Sequence, residues 1–182
     1  MKRICVYCGS SPGNNELYLQ TAEELGQVLA LNNVGLVYGG ASVGLMGRIA
    51  DSVMKHGGEV IGIIPGHLKK EVAHYGLTSL HEVNTMHERK KMMMDLSDAM
   101  IAMPGGLGTM EEIFEAATWS QLQLHTKPCG LLNVNGYYDK LLEFIDHAVN
   151  EGFILPRHRY IMQAAETPTE LLDKLKSVVE HA

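Results

Sequence analysis

No stretch of this chain is long and apolar enough to span a membrane, and the apolar run within the opening MKRICVYCGSSPGNN is far too short for a signal-peptide core. The expectation is a soluble protein of the cytoplasm. Positive charge is also in short supply. Fifteen lysines and arginines face 21 acidic residues, for a net charge of −6 and a pI near 5.8, so no global field draws in nucleic acid or an acidic membrane. Only local basic spots remain, at Lys69-Lys70 and Arg89-Lys90-Lys91.

Cysteine is scarce, with three residues, and Cys5 and Cys8 form a single C-x-x-C with no second pair to complete a zinc site. That pair lies on a predicted strand, where residues i and i+3 face opposite sides, whereas a redox pair opens a helix. Buried or site-lining thiols in a reducing compartment are expected. Two nucleotide signatures are missing as well. No Gly-Lys pair occurs, which excludes a P-loop, and the G-x-G-x-x-G fingerprint breaks twice. Glu111 stands where its third glycine belongs, and Ala41 replaces the middle glycine of residues 39–44. The nine histidines show no H-x-x-x-H spacing, and no repeat, low-complexity tract or linker interrupts the chain.

What is present is a regular alternation. At 182 residues, 46% hydrophobic and 20% charged, the composition suits one globular domain, residues 1–182. Strands are predicted at Ile4–Cys8, Gly35–Tyr38, Val60–Ile64, Leu80–Asn84, Ala99–Met103 and Gly130–Val134. Helices are predicted at Glu16–Leu31, Leu45–His56, His87–Leu96, Thr109–His125, Tyr137–Asn150 and Thr169–His181, the first with Leu17, Thr21, Leu25, Val28 and Leu29 at helical spacing and Asn14 or Asn15 as its cap. Strand and helix in turn imply an α/β fold, a doubly wound parallel sheet with helices on both faces and right-handed crossovers.

Ligands of such sheets sit beyond the carboxyl ends of the strands, and three glycine-rich stretches fall there: CGSSPG, YGGASVGLMG and MPGGLGTMEE. In the third, Gly106, Gly108 and Thr109 can turn N–H groups and a hydroxyl toward one phosphate at a helix start. A pyrophosphate would be repelled by the carboxylate at the helix mouth. Thr109-Met110-Glu111-Glu112 has two readings. As a capping box, Thr109 and Glu112 bond each other's backbone; as part of a site, Glu112 is free to serve a substrate. Thr85-Met86-His87-Glu88-Arg89-Lys90-Lys91 lies at another strand end, with Met92, Met93 and Met94 behind it as core filler.

Together these residues resemble the LOG ("lonely guy") family of cytokinin riboside 5′-monophosphate phosphoribohydrolases. The family's P-G-G-x-G-T-x-x-E motif is unbroken from Pro104 to Glu112, its M-H-x-R-K element runs from Met86 to Lys90, and its early glycine loop matches Tyr38 to Gly47. The opening Ile4 to Ser11 resembles the family's first strand and loop. The resemblance implies a Rossmann-like fold, a homodimer, and hydrolysis of a purine nucleoside 5′-monophosphate, adenosine or N6-prenylated adenosine, to free base and ribose 5-phosphate, with no cofactor and no metal. Carried over by motif, Arg89 and Glu112 are the catalytic pair. The substrate-binding set is Ser10, Gly40, Glu71, Met86, Lys90, Gly105, Gly106, Leu107, Gly108, Thr109, Met110, Glu111 and Thr118.

Breaking a C1′–N bond builds positive charge on the ribose, as in glycoside chemistry, and a carboxylate beside C1′ stabilises it or activates a water. Arg89 is expected to hold the phosphate or ribose and keep Glu112 ionised, with Glu111 turned toward the base. Two other readings stand beside the hydrolase. One is a module that binds a monophosphate without cleaving it. The other is a pyridoxal-dependent lysine decarboxylase, a label that relatives carry, though no lysine here is singled out for a Schiff base.

Overall fold

The computed structural model describes residues 1–180. In chain order it runs β1 (Arg3–Tyr7), α1 (Glu16–Leu31), β2 (Gly35–Tyr38), α2 (Gly44–Lys55), β3 (Val60–Pro65), α3 (Gly66–Val72), β4 (Ser79–Val83), α4 (Met86–Asp95), β5 (Ala99–Ala102), α5 (Leu107–Gln121), β6 (Cys129–Leu132), α6 (Asp139–Asn150), β7 (Met162–Ala165) and α7 (Pro168–Glu180), with 3₁₀ turns at Val134–Gly136 and Pro156–Ile161. Every strand joins one seven-stranded sheet in the order β4-β3-β2-β1-β5-β6-β7, and all pairings are parallel. The doubly wound α/β expectation therefore holds. No helix among the described residues is long and apolar enough to cross a membrane.

Two hydrophobic layers cover the sheet, and strand pleating sorts residues between them. Ile4 and Val6 of β1 join Leu36, Leu25, Leu29, Ile49, Val53 and Leu171 on the face of α1, α2 and α7. Cys5 and Tyr7 join Val37, Met93, Met94, Ile113 and Ile145 on the face of α4, α5 and α6. Because both faces are covered, β1, β2, β3, β5 and β6 are almost wholly buried, which is why they read as continuous apolar runs. Cys5 and Cys8 fall in opposite layers and all three thiols are free and buried, as the strand argument required.

Where the sequence and the structure part, local signal is thin. Helix α3 has seven residues and buries none of them, so it leaves no periodic stripe to read. Strand β7 is a four-residue edge strand, Met-Gln-Ala-Ala, without a β-branched side chain. Leu17 stays exposed on α1, whose buried stripe begins at Ala22, and Asn15 is its cap, accepting from the Leu17 N–H at 3.0 Å. The last predicted helix holds to Glu180, and His181 lies outside the described residues.

Close helix packing on one face depends on Gly26. A Cβ there would stand 2.6 Å from Ser52 Cβ and 2.8 Å from the Ile49 carbonyl oxygen, so α1 and α2 would have to part. Alanine gains up to about 1 kcal/mol of helix propensity over glycine, but overpacking a buried contact costs about 1–3 kcal/mol. Gly26→Ala is expected to destabilise the protein by about 1–2 kcal/mol in urea unfolding; a variant more stable than wild type would show that the contact is loose.

Candidate active site

The strand order turns outward from β1 and β5, and the loops that follow those strands diverge to opposite sides of the sheet. A crevice at that point is the expected ligand position in an open parallel sheet. A cleft of about 440 Å³ opens there. Tyr7, Cys8, Gly9 and Ser10 form its base, and the other walls come from the ends of β2 and β3, from α4 and from the start of α5.

Arg89 enters from α4, whose first turn is locked by a capping box: Thr85 Oγ1 accepts from the Glu88 N–H at 3.1 Å, and the Thr85 N–H donates to Glu88 Oε2 at 3.3 Å. Its guanidinium is spoken for on two sides. Nε donates to the Ile63 carbonyl at 3.2 Å, and Nη1 donates to Glu112 Oε1 at 2.9 Å. Nη2 lies over Gly39, where an added Cβ would come within 2.0 Å of it. Glycine at 39 is thus a matter of space: the guanidinium occupies the volume a side chain would take.

Glu112 enters from α5. Gly106 is the N-cap, no side chain caps this helix start, and Gly106, Gly108 and Thr109 line the cleft. A Cβ on Gly106 or Gly108 would meet nothing within 4 Å, so these glycines leave open space at the helix mouth rather than relieve a clash. First-turn N–H groups have no intrahelical partner, and the helix dipole adds to their pull on an anion. The capping-box reading of Thr109 and Glu112 is overturned. Thr109 is the third residue inside the helix, so it cannot cap it, and its hydroxyl packs beneath Gly105. The capping box belongs to Thr85 and Glu88 instead.

Arg89 and Glu112 are both nearly sealed from solvent, at 13% and 10% side-chain exposure. Burial raises the Glu112 pKa above the ordinary carboxylate value; Arg89 pulls it back and Glu111 pushes it up again, with the net direction upward. Arg89 opposes the upward shift, as expected of a guanidinium beside a carboxylate, while burial is the larger influence. The result is a carboxylate that holds a proton more tightly than an exposed one. Burial also pushes the Cys8 thiol up, so this cleft residue stays protonated and is no nucleophile.

The structure brings Ser10, Met86, Arg89, Gly106, Leu107, Gly108, Thr109, Glu111 and Glu112 to the cleft, with Gly105 beside it in the same loop. Five expected residues lie elsewhere. Lys90 turns away from the cleft and, at 7% exposure, is clamped by Glu111 and by Glu115 at 2.5 Å. One step along a helix is about 100° of rotation, so neighbours of Arg89 cannot share its direction. Glu111, expected on the base side, reaches the cleft rim but spends its charge on Lys90. Met110 packs into the α4–α6 layer. Gly40 takes a positive φ of 74° to turn the chain and packs its Cα side on Ile64 and Leu80. Glu71 lies at the end of α3 beside Asp51 and His74, and Thr118 lies on an outer groove with Phe114 and Ile154. Six residues past Glu112, Thr118 is roughly 240° around the helix from it.

Sequence reasoning missed the apolar wall: Val43, Met46, Ile64, Leu68, Val72 and Met93. Its one legible signal was position, since Ile64 lies one residue before the end of β3 and Val43 is the N-cap of α2. Among the described residues no group of three or more His, Cys, Asp or Glu is placed to hold a metal ion.

Comparison with known proteins bears on this cleft. A family described as "possible lysine decarboxylase" matches residues 46–175. The cytokinin riboside 5′-monophosphate phosphoribohydrolase LOG1 of Arabidopsis thaliana is 51% identical over 179 residues, 98% of this chain and 84% of that one. A cytokinin riboside 5′-monophosphate phosphoribohydrolase of Rhodococcoides fascians is 52% identical over 160 residues, 87% of this chain and 81% of its own. Among solved structures, a molybdenum cofactor binding protein from Rippkaea orientalis superposes with a TM-score of 0.75 at 26% identity, covering 98% of both chains.

Glu112 binds its proton more tightly folded than unfolded, so ionising it costs stability. That contribution is fully favourable below the ordinary value of 4.5 and is lost as pH rises through the raised value. In urea unfolding across a pH series, wild-type stability relative to Glu112→Gln is expected to fall as pH climbs through that window. A difference that grows with pH would mean that Arg89, not burial, dominates.

Proposed function

The chain belongs to the cytokinin riboside 5′-monophosphate phosphoribohydrolase (LOG) family, and from that premise we propose that its cleft hydrolyses the N-glycosidic bond of a purine nucleoside 5′-monophosphate. The products are free base and ribose 5-phosphate. The observation that carries this reading is the buried Arg89–Glu112 pair beside an uncapped, glycine-opened helix start.

The parts suit the two ends of a nucleotide. N–H groups around Gly106 and Gly108, with the buried Thr109 behind them, receive the 5′-phosphate. Glu112, one turn farther along α5, then faces the ribose. As the C1′–N bond breaks, its electron pair leaves with the base, which takes a proton from solvent, and cationic charge grows on C1′. Glu112 stabilises that charge in a site closed to water on most sides. It also accepts the proton of the water whose oxygen bonds C1′, a role its raised pKa fits. Arg89 keeps Glu112 aimed and leaves Nη2 for substrate oxygen. The base rests on the apolar wall of Met46, Ile64 and Met93, which accepts adenine with or without an N6-prenyl group.

A homodimer in the cytoplasm completes the proposal. It is supported by an exposed apolar surface around Thr118 and the end of α5, with Phe114, Leu122, Leu124, Phe153 and Tyr160. A decarboxylase finds no support in the cleft: no lysine lines it, and Lys90 is held by two carboxylates.

The test is incubation of the purified protein with AMP and with isopentenyladenosine monophosphate, following free base by chromatography. Release is expected from at least one, and the rate ratio gives the preference. Release from neither would leave a binding module as the better account. Glu112→Gln is expected to lower kcat by about 10²–10⁴ with little change in nucleotide affinity. Arg89→Ala is expected to raise KM and lower kcat together, because it frees Glu112 and strips a buried carboxylate of its partner. Unchanged kinetics in either variant would remove that residue from the mechanism.

A further inference from the structure

The glycine loop after β5 is held from behind by two adjacent tyrosines. Three consecutive carbonyls of this loop are tied down. Met103 O accepts from Tyr138 Oη at 2.6 Å, Pro104 O accepts from the Gly9 N–H at 3.1 Å, and Gly105 O accepts from Tyr137 Oη at 2.6 Å. A trans peptide places N–H opposite C=O, and no cis peptide occurs among the described residues. Fixing the Pro104 and Gly105 carbonyls therefore fixes the Gly105 and Gly106 N–H groups, which face away from Gly9 and from Tyr137.

The tyrosines are themselves built in. They follow a turn in which Asn135 and Gly136 take positive φ angles of 51° and 69°. Asn133 closes that turn: its Oδ1 accepts from the Tyr138 N–H at 2.7 Å, and its Nδ2 donates to Asp139 at 2.8 Å. The Tyr137 ring stands edge-on between Tyr138, at 5.0 Å, and Tyr18 of α1, at 5.8 Å. Edge-to-face stacking keeps the ring in place without help from its hydroxyl. The hydroxyl has one bond, to the backbone of the loop that opens the cleft.

We infer that Tyr137 is a positioning residue for phosphate recognition: through the Gly105 carbonyl it aims the Gly106 N–H at the 5′-phosphate. The inference rests on the reading of the glycine loop as the phosphate cradle. Tyr137 stands outside the Arg89–Glu112 cleft and its hydroxyl is spent on the Gly105 carbonyl, so its effect belongs in KM and in binding of phosphate-bearing ligands. A neutral hydrogen bond is worth about a factor of five in an equilibrium constant.

Tyr137→Phe keeps the ring stack and removes only the hydroxyl. For wild type and variant, KM and kcat for a nucleoside 5′-monophosphate are measured, together with inhibition by ribose 5-phosphate and by ribose, and the melting temperature. The expected result is KM and the ribose 5-phosphate inhibition constant raised about fivefold, with kcat, ribose inhibition and melting temperature near wild type. Equal loss for ribose and ribose 5-phosphate, or a fall in kcat and melting temperature alone, would reduce Tyr137 to a structural role and overturn the inference. So would a variant indistinguishable from wild type, provided wild type itself prefers ribose 5-phosphate to ribose. If wild type shows no such preference, the cradle reading fails and the inference falls with it.

Discussion

The site is organised by one ion pair that water scarcely reaches. A guanidinium and a carboxylate in that position have each given up hydration, and their attraction repays the loss only where geometry is good and the remaining donors are satisfied. The fold meets both conditions. The Ile63 carbonyl takes the Arg89 Nε proton, Gly39 leaves room for the far nitrogen, and the capped start of α4 fixes the direction from which the side chain arrives. Three separate strand ends thus converge on one contact. The pair is costly as a stabilising device, which points to chemistry as the reason for its place.

Much of this was legible in the residues because the governing rules are local. Gly35–Tyr38 and Glu16–Leu31 were read to the residue, since a buried strand and a capped amphipathic helix announce themselves within their own spans. Gly106, Gly108 and Thr109 stood out because glycine at a strand end followed by a helix has a known physical use, Arg89 and Glu112 through the family motifs, and the fold brings all five to one cleft. What stayed hidden depended on distant partners. The direction of Lys90 is set by Glu111 and Glu115 on another helix, although their own i, i+4 spacing was there to be read. The apolar wall looked like ordinary core, because Ile64 and Met93 obey the same pattern whether they face another side chain or an opening. Thr118 lies away from this cleft because sequence nearness on a helix is not nearness of direction.

The cleft has a supporting layer as well as a lining. Anion recognition through backbone N–H groups has a weakness: a glycine loop that is open enough to admit a ligand is also free to wander. The turn at Asn135–Gly136 counters it by presenting two phenols to the Met103 and Gly105 carbonyls, from a segment some thirty residues downstream. The loop's geometry is thus fixed by side chains that stand outside the Arg89–Glu112 cleft.

Helices α4 and α5 are joined by long charged side chains, Arg89 with Glu112 and Lys90 with Glu111 and Glu115. During folding, a state with one helix docked and the other loose would strand a buried charge without its counter-ion, at a cost of several kcal/mol. Such half-formed states are therefore disfavoured, and the two helices are expected to open together in local unfolding. Contacts that assemble a site for substrate thus also couple the two helices that carry it, which disfavours a partly built cleft.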